Sequence, residues 1–393
     1  MLFYFIIFII SISLFVVTQY LIIKQEYDID ENYNKQQKIE HFNNLRSFNI
    51  NSSVDSKLLK YHNIIIQFKN AIDVNKLITA QTPTILQYIN NMNQPNLLAR
   101  GFACRDDLYN KYINACDDIN NDERNTIQNF ILELLDKIKP RNIYYYNYMC
   151  QWITKIAIAK AKPFLEDGMP HTLENTIIMD ADWFINPRES TFIHELTHVH
   201  QRLLSFEYVN IYKSLGYKEY TQGVEKIKGM SSVIVLNRNN PDGLSNNWLW
   251  YDKKTNTYWW IGAVFASITP SSLNDVSNIA LELKLDYDDG GNNKLSDKDD
   301  KDDKDDKDDI TNKTFYYLQQ QPLLLNSFTN FNNYFGNNPN NYHPNEMTAK
   351  FSEWYLQYIL SNTQQNYEKY NGFTIYKEYF DNLIKTFYRT QSL

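Results

Sequence analysis

The sequence predicts an α+β fold that is mainly helical, with a small mixed or antiparallel sheet. Apolar residues recur at helical spacing through most of residues 58–163. After residue 230, short apolar runs alternate with turn signals, as strands do. Aromatic residues make up 15% of the chain, so residues 57–393 are predicted to form a globular domain with a substantial core.

The N-terminal residues predict a membrane anchor and a linker. Residues 2–23 carry no charge and are numerous enough to span a bilayer. They lack the basic start and the small-residue cleavage site of a signal peptide, so residues 1–23 are predicted to form a transmembrane anchor. Residues 24–56 are polar and poor in aromatic residues, which is typical of a linker.

We therefore expect a single-pass membrane protein whose following domain lies on the lumenal or external side. The lysines just after the anchor favour the opposite orientation. However, N-terminal anchors of this kind commonly carry the next domain across the membrane. Sequons at Asn51 and Asn312 are compatible with that direction.

Two helices are predicted before residue 163, each marked by an apolar stripe and ended by a proline. The first stripe ends at Pro140 and the second at Pro163. Their apolar residues are Ile127, Ile131, Leu134 and Ile138, and then Met149, Trp152, Ile153 and Ile156. Cys104 and Cys116 are close enough in sequence for a disulfide in an oxidising compartment, whereas Cys150 is predicted to be a packing residue.

The motif H-E-x-x-H occurs at residues 194–198. On a helix, residues four apart lie on one face, so His194 and His198 can present two imidazoles to one zinc ion. Glu195 then lies beside the metal, where a carboxylate can take a proton from a zinc-bound water. The sequence therefore predicts a hydrolytic zinc site with Glu195 as general base, against the alternative of histidines on an ordinary helix.

Local signals support this helix. Asn186 is predicted as its N-cap, with Pro187 in the first turn and Glu189 completing a capping box. A buried stripe follows at Phe192, Leu196, Val199 and Leu203.

A catalytic zinc ion needs a third protein ligand. His200 is rotated by about 120° from His194, so it is predicted to point away from the metal as a surface or second-layer histidine. The metzincin pattern requires Gly and His where this chain has Gln201 and Leu204, so that class is excluded.

A later helix, predicted to start at Pro344, carries an apolar stripe flanked by Glu346. Ala349 is small enough to let this helix approach another closely. With H-E-x-x-H and N-E-x-x-A at residues 345–349, the chain resembles the gluzincins, the thermolysin-like zinc metallopeptidases. The resemblance implies a zincin-like two-lobed domain with Glu346 as third ligand to one zinc ion; otherwise Glu346 is a first-turn acid favoured by the helix dipole.

The chain departs from the family one helical turn after Glu346, where Lys350 replaces the acid that many gluzincins use to orient a zinc-bound histidine. Metal-bound imidazoles almost always need such a partner. Glu353, on the same side of the helix, or a backbone carbonyl could serve instead.

Strands are predicted around these helices. Residues 176–179 are predicted to form either an interior strand or, as in zincins, the cleft edge that pairs with substrate. Residues 233–236 form a further β-run before a turn at residues 240–243. A hairpin is predicted over residues 248–251 and 258–261, and an alternating strand over residues 279–287.

The remaining segments contribute no chemistry. Residues 288–309 include four Lys-Asp-Asp triplets, so they are predicted to be a disordered acidic insertion. Because this tract accounts for much of the net charge of -7, the charge implies no nucleic-acid partner. Residues 366–387 are predicted to form one or two final helices.

The sequence thus predicts a membrane-anchored zinc metallopeptidase that acts on a peptide or protein substrate. An oxyanion donor is also required, and the tyrosines and Arg202 are candidates. The alternatives are a non-peptidase zinc hydrolase and an inactive zincin-like binding or structural protein. The sequence leaves the oligomeric state open.

Overall fold

A computed structural model describes residues 64, 66–79, 88–242, 247–285, 310, 313–317, 321–361 and 366–391. All of these residues belong to one unit, Asp55–Leu393. The predicted anchor at residues 1–23, the linker at 24–56 and the acidic insertion at 288–309 lie outside the described residues. Within the described part of the chain, no helix combines the length and the apolar character needed to cross a membrane.

The fold is α+β, as the sequence predicted, with more residues in helices than in strands. The described residues also form two sheets. The helices are α1 (Ala71–Thr79), α2 (Gln94–Ala99), α3 (Arg105–Tyr112), α4 (Asn121–Ile138), α5 (Ile143–Ile153), α6 (Glu189–Leu203), α7 (Ser205–Ser214), α8 (Ser231–Val235), α9 (Thr329–Phe335), α10 (Pro344–Leu360) and α11 (Asn371–Gln391).

The first sheet is mixed and lies in the N-terminal half of the described chain. Its strands run in the order β1-β3-β5-β4, and β2 pairs with β3. The β1–β3 and β3–β5 pairs are parallel, whereas β4 and β2 pair antiparallel with their neighbours. These strands are β1 (Gln67–Phe68), β2 (Cys116–Asp117), β3 (Ala157–Ala161), β4 (His171–Leu173) and β5 (Thr176–Met179).

The second sheet is antiparallel and larger than the sequence predicted. Its order is β10-β9-β8-β7-β6, and β11 pairs with β9. The predicted hairpin is confirmed, because β7 and β8 pair with Tyr251 opposite Tyr258. The strands are β6 (Tyr217–Glu219), β7 (Trp248–Asp252), β8 (Thr257–Phe265), β9 (Val276–Leu285), β10 (Phe315–Tyr317) and β11 (Leu323–Leu324).

Helix α6 is held between the first sheet and helix α10. It contacts β4 and β5 on one side and packs along α10 on the other. Phe192, Leu196 and Val199 are buried, whereas Leu203 is half-buried, so the predicted apolar stripe is confirmed for three of its four residues. Ala349 of α10 is also fully buried, as expected of a small residue where two helices approach closely.

The start of α6 differs from the prediction. The helix begins at Glu189, and its N-cap is Arg188, which makes no side-chain cap hydrogen bond. The predicted cap, Asn186, instead donates its backbone N–H to Asp182 at 2.9 Å within a preceding turn. The capping box was wrong because this turn uses the backbone of Asn186 before the helix begins.

Two other element predictions were wrong. Helix α5 ends at Ile153, and the chain then forms β3 before Pro163, so that proline follows a strand and does not end a helix. Residues 233–236, predicted as a β-run, lie largely in helix α8. There the N–H groups of Val233 and Ile234 donate to the carbonyl of Met230, so local turns replace pairing with a neighbouring strand.

Residues 176–179 form the predicted strand β5. Because β5 pairs with β3 on one side and with β4 on the other, it is an interior strand. The structure therefore contradicts the alternative in which this strand is the cleft edge that pairs with substrate. Among the described strands of this sheet, β4 is the edge strand next to β5.

The cysteine and C-terminal predictions have mixed outcomes. Cys104 is exposed, Cys116 is buried in β2, and both are free thiols, so the local disulfide is absent from this structure. Cys150 is half-buried in α5. The predicted C-terminal helix is confirmed as α11.

Candidate metal centre

Helix α6 brings three of the predicted site residues into one cleft. Glu195 and His198 are buried, with exposed fractions of 4% and 1%. The His194 side chain retains 12% of its exposure. All three line a cleft of about 350 Å³, and Glu346 of helix α10 lines the same cleft.

The donor atoms of His194, His198 and Glu346 converge. His194 Nε2 lies 3.2 Å from Glu346 Oε2, and His198 Nε2 lies 3.6 Å from Glu346 Oε1. Ligand atoms of the three residues all lie within 4.8 Å of one another. Tetrahedral donors at zinc-ligand distances are about 3.4 Å apart, so this buried group has the spacing to bind a metal ion.

A carboxylate orients the first histidine. His194 Nδ1 lies 2.9 Å from Glu353 Oε1. The other oxygen of Glu353 accepts a hydrogen bond from Lys350 Nζ at 2.7 Å. Of the two partners that the sequence left open, Glu353 is the one that contacts the imidazole. Such a contact fixes the ring and raises the basicity of its other nitrogen.

A neutral amide orients the second histidine. His198 Nδ1 lies 2.9 Å from Gln201 Oε1, one turn later on the same helix. The amide nitrogen of Gln201 donates to the Asn345 carbonyl at 2.7 Å and to Thr348 Oγ1 at 3.0 Å. Gln201 therefore links the two helices. The sequence analysis used Gln201 only to exclude the metzincin pattern. It did not predict that Gln201 orients His198.

The segment at residues 237–242 supplies a further contact to Glu346. Asn240 Nδ2 donates to Glu346 Oε1 at 2.6 Å and to the Tyr342 hydroxyl at 3.1 Å. Asn240 Oδ1 accepts the backbone N–H of Asp242 at 3.0 Å, so the described part of the turn predicted at residues 240–243 is present. The sequence identified this turn by its residue types, but gave no signal that Asn240 reaches a site residue.

Asp242 forms a second group of converging donors with Glu195 and His198. One oxygen of Asp242 accepts hydrogen bonds from the backbone N–H and the hydroxyl of Thr172, at 2.8 and 2.5 Å. Thr172 belongs to β4, so Asp242 covers part of the sheet edge beside the cleft. Glu195 Oε2, in contrast, is buried and has no hydrogen-bond partner in the part of the chain that the structure describes.

Arg202 occupies a structural position. Its guanidinium donates to the carbonyl oxygens of Glu174, at 2.8 and 3.1 Å, and of Asp242, at 3.1 Å. It also donates to Thr172 Oγ1. Because these groups occupy its donors, Arg202 holds the turn against β4, and it does not line the cleft.

The histidines and Glu346 shift one another's pKa values. Burial lowers the pKa of His194, but hydrogen bonds with Glu346 and Glu353 outweigh burial and raise it well above 6.5. Burial also lowers the pKa of His198, and the charges of Asp242 and Glu346 raise it to about 9. A metal ion would displace protons from both histidines, so metal affinity should fall as the pH falls.

The two carboxylates of the motifs shift in opposite directions. Burial raises the pKa of Glu346, but His198 and His194 outweigh burial and hold it well below its usual 4.5. Burial raises the pKa of Glu195, and the neighbouring charge of Asp242 adds to this, so that it reaches about 8. A carboxyl group with such a pKa can both accept and release a proton near neutrality.

His200 points away from this group, as predicted, but it is not at the surface. Only 3% of the residue is exposed. Its Nδ1 lies 3.0 Å from the Tyr148 hydroxyl, and its ring packs against Trp152. Burial lowers the pKa of His200 to about 3, so this histidine is neutral and belongs to the core.

Comparison with protein-family models, with curated proteins and with solved structures finds no match to this chain.

Proposed function

We propose that this protein is a membrane-anchored zinc metallopeptidase with a zincin-like two-lobed domain related to the gluzincins. The observation that carries the proposal is the convergence of four side chains. His194, His198 and Glu346 have the donor spacing of a zinc site, and Glu195 leaves a buried, unpartnered oxygen in the same cleft.

The donor set favours zinc over calcium and magnesium. Two imidazoles and one carboxylate form the ligand set of thermolysin-type catalytic zinc sites, whereas calcium and magnesium prefer oxygen ligands alone. When bound, zinc supplies a Lewis acid and lowers the pKa of a bound water to about 7. Glu353 and Gln201 keep the two imidazoles oriented toward Glu346.

Glu195 is the proposed proton carrier. Its Oε2 atom has no hydrogen-bond partner among the described residues, so it can accept a proton from the attacking water and later deliver that proton to the leaving nitrogen. The protonated form would be stabilised by the same burial and by the same Asp242 charge that raise its pKa to about 8.

Tyr342 is the proposed donor to the oxyanion. It lines the cleft together with the motif residues. Its hydroxyl oxygen accepts from Asn240, which leaves the hydroxyl proton available for a developing negative charge. The other candidate from the sequence, Arg202, is occupied by backbone carbonyls and by Thr172.

The substitution Glu195→Gln tests the proposal. We expect hydrolysis of a broad peptide library to be abolished while the zinc content stays at one ion per chain, because Glu195 is not among the proposed ligands. Glu189→Gln is the matched control on the same helix. That carboxylate pairs with Lys137 at a partly exposed position, and surface pairs of this kind contribute little.

Each result has a distinct meaning. Zinc binding with cleavage that Glu195→Gln removes supports the peptidase. Zinc binding without cleavage of any peptide by the unsubstituted protein would favour a non-peptidase hydrolase. Absence of zinc would favour an inactive binding or structural protein, and full turnover by the Glu195→Gln protein would refute the assigned base.

A further inference from the structure

A second cavity adjoins the metal cleft. It has a volume of about 430 Å³ and shares Arg238, Asn240 and Tyr342 with the cleft as lining residues. The rest of its lining is rich in asparagine and in small or apolar residues of β8. A substrate held at the metal centre can therefore extend past Arg238 into this cavity.

The backbone around Arg238 is fixed from two sides. Its own N–H donates to the Ala263 carbonyl of β8 at 2.9 Å. On the other side, Asn96 Nδ2 donates to the Asn237 carbonyl at 2.8 Å, and Asn96 Oδ1 accepts the Asn239 N–H at 2.7 Å. A side chain presented from such a backbone is preorganised, which reduces the entropy lost on binding.

The guanidinium of Arg238 has no acidic partner among the described residues. The only hydrogen bond that its side chain makes to a described residue joins Nη2 to the sulfur of Met169, a weak acceptor, at 3.6 Å. Its Nε atom is buried and finds no hydrogen-bond partner among the residues that the structure describes. Buried polar groups of native proteins nearly always find a partner, so each exception requires an explanation.

Arg188, the other arginine among the described lining residues of the metal cleft, does have acidic partners. Arg188 forms ion pairs with Asp180 and Asp182, at 3.7 and 3.5 Å. Its charge is therefore already compensated within the protein, and half of its side chain is exposed.

Among the described residues, no acidic group that lines either cavity forms an ion pair with Arg238. Glu166 pairs with Arg100 at 3.0 Å, and the other carboxylates of the cleft are those of the metal centre already described. In the second cavity, Glu225 is exposed and forms no ion pair with Arg238.

We infer that Arg238 binds a carboxylate of the substrate, so that the enzyme prefers acidic peptides or peptides that end near the cleaved bond. This inference rests on the proposed peptidase function. A guanidinium offers a planar fork of N–H donors that matches a carboxylate in two parallel hydrogen bonds. The carboxylate has two possible sources, an Asp or Glu side chain and the C-terminus of the peptide.

The test uses the full chain loaded with zinc and three matched peptide pools. The first pool lacks acidic side chains and has a free C-terminus, the second is the same pool amidated, and the third is amidated and contains Asp and Glu. We expect one of the two carboxylate-bearing pools to be cleaved about tenfold faster than the neutral pool, since a charge-assisted hydrogen bond of this kind contributes at least one order of magnitude.

The substitution Arg238→Gln should bring that ratio close to one while cleavage of the neutral pool continues. Arg238→Lys keeps the charge without the fork, so it should restore part of the preference. Arg188→Gln removes the paired guanidinium of the same cleft and should leave the ratio unchanged. Zinc content and thermal melting verify that each variant is folded.

A binding measurement separates this inference from the peptidase proposal. In the zinc-loaded Glu195→Gln protein, the preferred carboxylate-bearing pool should bind about tenfold more tightly than the neutral amidated pool, and Arg238→Gln should remove the difference. If no pool is cleaved but this difference is present, the peptidase proposal fails and the carboxylate site stands. Equal affinities for all pools, or a preference that survives Arg238→Gln, would overturn the inference.

Discussion

The two ligand helices, α6 and α10, and the segment at residues 237–242 line the same cleft but are stabilised differently. The helices place their donors by internal spacing, since His194 and His198 are one turn apart on α6. The segment has no regular structure of its own. It is held by Asn96 and Ala263, and by Arg100, whose guanidinium donates to the Asn239 carbonyl at 2.8 Å.

This difference separates two kinds of contribution to one site. A helix carries its geometry within its own sequence, so its donors stay in place as long as the helix forms. The segment depends on Asn96 and Arg100, which precede it by 139 to 143 positions, and on Ala263 of β8, so its position depends on tertiary structure. We therefore expect the helices to determine whether metal binds, and the segment to determine how firmly Glu346 and the substrate are held.

The largest expected effect comes from replacing one carboxylate on helix α10, and in a separate protein one on the segment, with the corresponding amide. Glu346→Gln should reduce the zinc content after dialysis to background, because it removes an anionic ligand from the group. Asp242→Asn, an equally small change on the segment, should keep zinc bound. Metal analysis of both proteins checks this, and the opposite result would assign the ion to Glu195, His198 and Asp242.

A second expected effect concerns the ion pair of Glu166 and Arg100, because Arg100 also holds the segment at residues 237–242. Burial raises the pKa of Glu166, but the charge and hydrogen bonds of Arg100 outweigh burial and lower it from 4.5 to about 2. The folded-state pKa is therefore the lower one. The stability that results is present above pH 4.5, and it is lost as the pH falls through about 2.

Urea unfolding measures this contribution as the pH falls from neutrality. At about 1.4 kcal/mol per pKa unit, the unsubstituted protein should lose about 3 kcal/mol more than Glu166→Gln over this range. Equal losses in the two proteins would show that the Glu166–Arg100 pair does not stabilise the fold.

The smallest expected effects come from two side chains that contact the ligand residues, one on helix α10 and one on the segment at residues 237–242. Glu353→Gln removes the carboxylate that orients His194 and should weaken zinc binding by about 10–100-fold. Asn240→Ala removes a neutral donor to Glu346 and should weaken it by no more than about tenfold. Competition with a chelator gives both affinities, and a larger loss for Asn240→Ala would reverse the comparison.

The sequence predicted the helical side of the site well for a physical reason. The periodicity of an amphipathic helix is local, so the stripes of α6 and α10 and the face of the histidines follow from residue spacing alone. Even the contact of Glu353 follows from its position two turns after Glu346. The wrong helix start at Asn186 arose because a turn and a helix cap use the same residue types.

The segment side was not predictable in the same way. The residues at 240–243 indicated a turn, but turn chemistry does not specify which distant groups a turn will contact. The short helix α8 was mistaken for a strand because a run of β-branched residues fits both a buried strand and a half-exposed turn of helix. Arg238, Asn240 and Asp242 become functional candidates only when β8 and α2 are placed beside them.

The pairing of Glu353 with Lys350 has a consequence for how such proteins diverge. One oxygen of Glu353 faces an imidazole and the other faces an ammonium group, so the acid and the base form a neutral couple outside the ligand sphere. Loss of Lys350 alone would leave the Glu353 carboxylate, whose side chain is only 8% exposed, without its compensating cation. In homologous helices, the two positions should therefore covary. An acid at the position of Lys350 should occur together with loss of the acid at the position of Glu353.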